Sequence, residues 1–338
     1  MFNFIPLAAT IGSMLDEKFF GLDTAIFTFF GNLQNGFLTI IAKIFTSFGD
    51  ENFVIPVVVL ALLLCLFKRT RKYGFAIVMS VAIGTILTNL WLKPMVLRVR
   101  PDHTLQHTDC WAQYKNWYAA VGSLSESDYS FPSGHSTSAF EMATAACLCF
   151  ATEKKGKIAW IPPVLALGTA CSRIYVMVHY PTDVMAGSLV GICAGVVGFL
   201  LALLICRIVS KIGFLDKIDL EKAFKKGLNT KVCSVLIAVF LCIVLGISFG
   251  KLMTESDEIK CAYDQEYDCN NKARIGEEKY PPIDGKNYCK IHWKELSGED
   301  SQGENEPVSE ESAGNAGEPA LTLPENEPAG SQSTNAAA

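Results

Sequence analysis

The sequence is short of charge. Of its 338 residues 19% are Asp, Glu, Lys or Arg and 50% are hydrophobic, where a soluble domain carries about a quarter charged residues. That shortage argues against a disordered main body, and a net charge of -5 leaves no footprint for nucleic acid. Twelve cysteines in a chain this long fall short of a disulfide-dense secreted scaffold. Basic residues are missing altogether beyond residue 294, where ten acids fall, so the first 294 residues carry +5. No cleavable signal peptide is expected, because the first twenty residues lack a basic start followed by an apolar core. What remains is the composition of a membrane protein with a polar tail.

Long runs without an ionised side chain support that class. They cover 73–92, 184–206 and 232–250, each long enough to cross a hydrocarbon core of about 30 Å at about 1.5 Å per residue. Shorter runs at 52–67, about 136–152 and 158 to about 172 bring the expected total to six spans. Residues 22–48 mix phenylalanines with Asn32, Gln34, Asn35 and Lys43. They read as a helix lying in the interface, with a seventh span as the alternative. Lys68, Arg69, Arg71 and Lys72, then Lys154, Lys155 and Lys157, then seven Lys and Arg between 207 and 231 occupy alternate connections. The positive-inside rule puts these in the cytoplasm. The connections 101–135 and 173–183 and the segment after 250 then face outward. The fold class expected is all-α, a polytopic transmembrane helix bundle with an interfacial N-terminal helix and a disordered acidic tail.

The outward connections hold three polar clusters. Lys93, Arg98 and Arg100 close the second run; Ser133, Gly134 and His135 open the third; Arg173, His179 and Asp183 join the fourth to the fifth. Each alone has an ordinary explanation: snorkelling cations, turn residues ahead of a helix, an incidental interfacial histidine. Together they suit a phosphate. Lys93, Arg100 and Arg173 offer three cations from different elements, and arginine binds a phosphate bidentately. Ser133 and Gly134 precede a helix whose N-terminus favours an anion. Two histidines are able to act as nucleophile and acid, and Asp183, four residues past His179, is near enough to orient that imidazole.

The pattern Lys93-x6-Arg100-Pro101, Pro132-Ser133-Gly134-His135 and Ser172-Arg173-x5-His179-x3-Asp183 resembles the three-part signature of the type-2 phosphatidic acid phosphatase superfamily. All signature positions are present, and the resemblance covers roughly 20–208. It implies a membrane lipid phosphate phosphatase working without a metal or other cofactor. His179 resembles the nucleophile that becomes a phosphohistidine, Asp183 its orienting partner, and His135 the general acid. Lys93, Arg100, Ser133, Gly134 and Arg173 resemble the phosphate cradle. The implied partners are a lipid phosphate and the bilayer, with no nucleic acid, at the extracytoplasmic face of the cell membrane. Undecaprenyl pyrophosphate, phosphatidylglycerophosphate and phosphatidic acid are the candidate substrates, and the motifs do not choose among them. Phosphotransfer from the same intermediate is a second enzymatic reading; a non-catalytic scaffold and a transporter are the rivals from other classes.

The remaining features are read from chemistry alone. Gly187, Gly191 and Gly195 recur every four residues and make a smooth face for close helix packing. Glu141 is expected to face the bundle interior. Arg98 is expected to make a headgroup or structural contact. Trp111, Tyr114, Trp117 and Tyr118 suit an interfacial belt, and His103 and His107 are expected to be solvated. Cys261, Cys269, Cys289 and His292 fit either a zinc site or, with Cys110, disulfides. The expected divisions are an N-terminal helix (1–50), a catalytic core (51–208), a basic cytoplasmic loop (209–230), a further span (231–250), an external Cys/His module (251–297) and a disordered tail (298–338).

Overall fold

The computed structural model describes residues 10–124, 129–153, 156–212 and 230–254, together with positions 281, 283, 286, 288, 293, 296 and 297. The Cys261, Cys269, Cys289 and His292 set, most of the basic loop and the acidic tail lie outside the described residues.

Apart from an isolated bridge between Ile283 and Lys286, the regular structure of the described residues is helical, and local chemistry marks several helix starts. Helix α1 (Ile11–Asn32) begins where the Thr10 hydroxyl accepts from the Ser13 N–H at 3.1 Å. Helix α2 (Gly36–Ser47) is capped by Asn35 and α3 (Glu51–Leu64) by Asp50. Each cap satisfies one of the backbone donors that a helix start leaves without an internal partner. The segment 22–48 therefore divides between two helices, and α2 continues through a short turn into α3.

Helix α4 (Arg71–Thr85) runs into a π-helical stretch, Ile86–Leu92, and on into α5 (Lys93–Val96). Leu97 then adopts a left-handed conformation, φ 54°, and ends the helix. Beyond the short α6 (Pro101–Thr104) and α7 (Trp111–Ala120), three longer helices follow: α8 (Gly134–Thr152), α9 (Ile161–Tyr175) and α10 (Pro181–Lys211). The last described helix is α11 (Thr230–Thr254), which packs on α2 and α3.

Among the described residues four stretches are long and apolar enough to cross a membrane: Gly36–Leu64, Arg71–Thr104, Pro181–Lys211 and Val235–Met253. Two of the six expected runs are not among them, for a physical reason. Helix α9 has only 15 residues. Helix α8 has 19 residues, but the polar Ser136, Thr137 and Glu141, buried in its packing with α4, α9 and α10, make it less apolar than the other four.

The seam of α10 with α8 shows why residues 187, 191 and 195 are glycine. A Cβ at 187 would stand 2.5 Å from the Ser133 carbonyl oxygen, and one at 191 would stand 2.5 Å from that of Thr137. One at 195 would lie 2.5 Å from the Thr144 Cβ. Only a helix face without side chains lets the two backbones come this close, and the hydroxyl of Thr137 uses the proximity to donate to the Gly187 carbonyl at 3.2 Å. This seam sets the start of α8 beside the start of α10.

Tyr114 and Tyr118 differ from the interfacial belt expected of them. Both are 2% exposed, in a cluster with Phe27, Met177 and Tyr180. The Tyr114 hydroxyl donates to the Met177 carbonyl and the Tyr118 hydroxyl to that of Leu124. Their rings stack on one another. With the hydroxyls satisfied, burial gains the full apolar area of each ring, which a surface position would forgo.

Candidate active site

Five elements converge on His179. It lies in the short connection between α9 and α10, where Met177, in a left-handed conformation at φ 61°, turns the chain. Arg173 projects from the last turn of α9, and Lys93 stands on α5. Arg100 is the residue before α6. Ser133 is the N-cap of α8, its hydroxyl taking the Ser136 N–H, and follows a cis Phe131–Pro132 peptide. Gly134 and His135 are the first residues of α8, and Asp183 sits in the first turn of α10.

The structure brings the predicted residues together. Arg100, Ser133, Arg173, His179 and Asp183 are all buried, between 0% and 2% exposed, while Lys93, Gly134 and His135 are half-buried. The two later motifs are joined by backbone, since the Ser133 N–H donates to the Asp183 carbonyl at 3.1 Å.

The imidazole of His179 is oriented by chemistry on both sides. Arg100 Nη1 lies 3.2 Å from Nε2 and also donates to the Val178 carbonyl at 3.0 Å. A guanidinium only donates, so Nε2 is the acceptor and the ring proton belongs on Nδ1. Nδ1 faces Asp183 Oδ2 at 3.7 Å, with no hydrogen-bond partner among the described residues. A contraction of about 1 Å would close that gap to a hydrogen bond. Burial, followed by the charges of Arg100, Arg173, Lys93 and His135, holds the imidazole well below the usual histidine range. It is therefore neutral, with its lone pair on Nε2, at any pH near 7.

Asp183 is itself fixed. Its Oδ2 accepts the Tyr180 N–H at 3.1 Å at the start of α10, and its Oδ1 accepts from Arg98 Nη1 at 2.6 Å. Arg98 is fully buried, so the structural contact applies to it and the headgroup contact does not. Gly134 has open space on its Cβ side, at a helix start where the dipole and backbone donors favour an anion.

Residues 69–205 match the PAP2 superfamily. An undecaprenyl-diphosphatase of Sulfolobus acidocaldarius is 31% identical over 189 residues, covering 56% of this chain and 82% of that protein. The chain belongs to the PAP2 superfamily. A phosphatidylglycerophosphatase B of Bacillus subtilis is 30% identical over 154 residues, 44% of this chain and 66% of that one. A crystal structure of a PAP2-type phosphatidylglycerolphosphate phosphatase from Bacillus subtilis aligns with a TM-score of 0.45 at 21% identity, covering 56% of this chain and 88% of that chain.

Sequence reasoning missed four residues at this PAP2 site. Asp16 and Asp23 of α1 bind Arg98. Thr46, near the end of α2, accepts from Arg173 Nη1 at 2.7 Å. Gly49 lets the following turn approach His135, whose Cβ would lie 2.8 Å from a Cβ at 49. Two acids in an apolar N-terminal segment were the available signal for the first pair. Nothing in the sequence marks Thr46 or Gly49.

Proposed function

We propose that this protein is an integral membrane phosphatase that hydrolyses a lipid phosphomonoester or lipid pyrophosphate through a phosphohistidine on His179, with the active site on the extracytoplasmic face. The observation that carries the reading is the two-sided setting of His179, with Nε2 toward Arg100 and Nδ1 toward Asp183. Phosphate oxygens take Arg100, Arg173, Lys93 and the start of α8. Arg100 then moves its donor from Nε2 to a phosphoryl oxygen, which frees the lone pair for in-line attack.

In the first step the Nε2–P bond forms and the P–O bond to the lipid breaks, while His135 delivers a proton to the departing oxygen. The imidazole now carries positive charge, which Asp183 stabilises across Nδ1. In the second step water gives a proton to His135 and its oxygen attacks phosphorus. The P–N bond breaks, and inorganic phosphate leaves with His179 neutral again. The cations of the cradle offset the charge on the equatorial oxygens, the task a metal performs in other phosphatases, so the reaction is read as metal-independent. Undecaprenyl pyrophosphate and phosphatidylglycerophosphate are the first substrates to try, given the names of the relatives.

The test is phosphate release by the purified full chain from a panel of lipid phosphates in detergent, with and without EDTA. Wild type is expected to release phosphate in both conditions, and His179→Ala to be inactive and to trap no radiolabelled phosphoenzyme after acid quench. Loss of wild-type activity in EDTA, or phosphate release by His179→Ala, overturns the mechanism.

A further inference from the structure

The guanidinium of Arg98 makes four side-chain hydrogen bonds, and none of these partners belongs to the phosphate cradle. Nε donates to Asp16 Oδ1 at 2.8 Å, Nη2 to Asp23 Oδ2 at 2.8 Å, and Nη1 to Asp183 Oδ1 at 2.6 Å and Thr182 Oγ1 at 2.7 Å. The Tyr180 ring lies beneath it, 3.8 Å from the guanidinium carbon. Three carboxylates thus share one cation that has no exposure of its own, with Asp16 alone reaching partly into the open at 20%. Two of them come from α1, which precedes the matched region 69–205.

Helix α1 is built for this contact. Gly12, Asp16, Asp23 and Phe27 fall on one face at 3.6 residues per turn. Gly12 admits the Arg98 backbone, whose Cα would lie 2.5 Å from a Cβ at 12. Asp23 reaches beyond the arginine. Its Oδ1 accepts the Thr182 N–H at 3.0 Å and its Oδ2 the Thr182 hydroxyl at 2.9 Å, so a carboxylate from α1 holds the first turn of α10, where Asp183 sits.

We infer that Arg98, held between Asp16 and Asp23, is a positioning residue that divides the charge of Asp183 between itself and His179, so that α1 tunes the nucleophile. One oxygen of Asp183 is bound by Arg98 at 2.6 Å while the other stands 3.7 Å from His179 Nδ1. The stronger the hold of Arg98, the weaker the support Asp183 gives to a positively charged imidazole. Asp16 and Asp23 draw the guanidinium the other way and limit that hold. The charged groups facing His179 are Arg100, Arg173, Lys93, His135 and Asp183. Those facing Asp183 are Arg98 and Asp23, with Ser130 and Tyr180 as neutral neighbours. This inference rests on the phosphohistidine reading and extends it to residues that touch neither substrate nor imidazole.

The two sides of the balance move the pH dependence in opposite directions. Arg98→Ala leaves Asp183 with its full charge beside His179, which favours the protonated imidazole. The acid limb of kcat/KM is expected to move up by about half a pH unit or more. Turnover is expected to fall about 10²-fold as Asp183 loses its fixed place. Asp23→Asn removes a competitor for the guanidinium, and the limb is expected to move down. Arg98→Lys restores one charge without the fork, and its limb is expected between those of wild type and Arg98→Ala.

The experiment is phosphate release from one lipid phosphate by the full chain across pH for these three variants, with His179→Ala alongside. If Arg98→Ala does not fold, the opposed limbs of Asp23→Asn and Arg98→Lys decide. Limbs that stay at the wild-type pH, or that move the same way in both, overturn the inference. Turnover by His179→Ala removes the phosphohistidine reading itself, whereas an inactive His179→Ala with unmoved limbs overturns the α1 inference alone.

Discussion

The cluster around Arg98 and the cluster around His179 touch through Asp183, yet they hold opposite balances of charge. Arg98 is one cation among three carboxylates, with its bonds to them at 2.6 to 2.8 Å. His179 is a neutral ring among Arg100, Arg173 and Lys93, with one carboxylate 3.7 Å away. A buried ion whose hydrogen bonds are complete is held in a single arrangement, and removing a partner is costly because it strands the others. A buried excess of positive charge around a group with an unused donor is instead prepared for an anion. The difference separates a scaffold from a site more sharply than burial does, because Arg98, His179 and Asp183 at the two centres are all almost wholly inaccessible.

After His179, whose loss is expected to abolish turnover, His135 gives the largest effect. His135→Ala is expected to lower kcat by about 10²–10⁴-fold on an alkoxide leaving group. On an aryl phosphate, whose leaving oxygen needs no proton, the loss is expected to be far smaller. A steady-state comparison of the two substrates checks this. Equal losses would assign His135 to binding and place both histidines on the cradle side of the comparison.

Next comes the acid limb. On the proposed mechanism activity requires neutral His179, whose pKa is pushed below the ordinary value of 6.5 by burial and the surrounding cations. Activity is therefore retained as pH falls through 6.5 and lost only below it. Arg173→Ala removes one of those charges, so the limb of kcat/KM is expected to rise toward 6.5, with turnover reduced about 10²–10³-fold. Using one substrate for both proteins cancels its own ionisation. A limb that stays in place would show that the positive excess does not govern the nucleophile.

The cradle half of the site was legible in the sequence because its chemistry depends on a fixed order of residue types along short segments. Lys93, Arg100, Ser133, His135, His179 and Asp183 are each within a few residues of a proline, glycine or helix start, and Arg173 sits in the last turn of α9. The Arg98 half was not legible, because its partners are 75 to 85 residues away in sequence and ordinary surface acids look the same on the page. The helical content was equally plain, and four of the six expected runs recur as helices long and apolar enough to cross a membrane. Helices α9 and α8 fall short of that length and apolarity, α9 with 15 residues and α8 with Ser136, Thr137 and Glu141 among its 19. The glycines of α10 belong with the legible part, since a four-residue repeat of residues without side chains has few other uses.

Those glycines offer a smaller effect that tells packing from binding. Gly187→Ala would drive a Cβ against the Ser133 carbonyl at 2.5 Å, an overpacked backbone contact expected to cost about 1–3 kcal/mol. It should lower Tm and disturb the Ser133 cap. Gly134→Ala meets nothing within 4 Å and should leave Tm unchanged while raising KM, because its methyl group enters the space beside the phosphate cradle. Thermal melts and steady-state kinetics on the two variants separate the roles. A stability loss in Gly134→Ala with unchanged KM would place the packing constraint at 134 and move the anion site elsewhere.

The smallest effect is expected at Glu141, which extends the comparison to a third kind of buried group. Like Arg98 it has no exposure, but neither carboxylate oxygen has a hydrogen-bond partner among the described residues. It lies where α8 meets Gly84, one residue before the end of α4 and the π-helical stretch that leads to Lys93. A buried carboxyl without a partner contributes little that an amide of the same shape would not, and an ionised one would be unfavourable there. Glu141→Gln is therefore expected to keep kcat within about twofold and to leave the protein as stable or more so, by up to about 2 kcal/mol. Asp23→Asn, an equally conservative change at a fully partnered carboxylate, is expected to perturb the pH profile instead. Parallel melts and pH profiles on the pair carry the test. A marked fall in Tm for Glu141→Gln would mean that its charge is used, and would move Glu141 from the unpartnered side of the comparison to the side of Arg98.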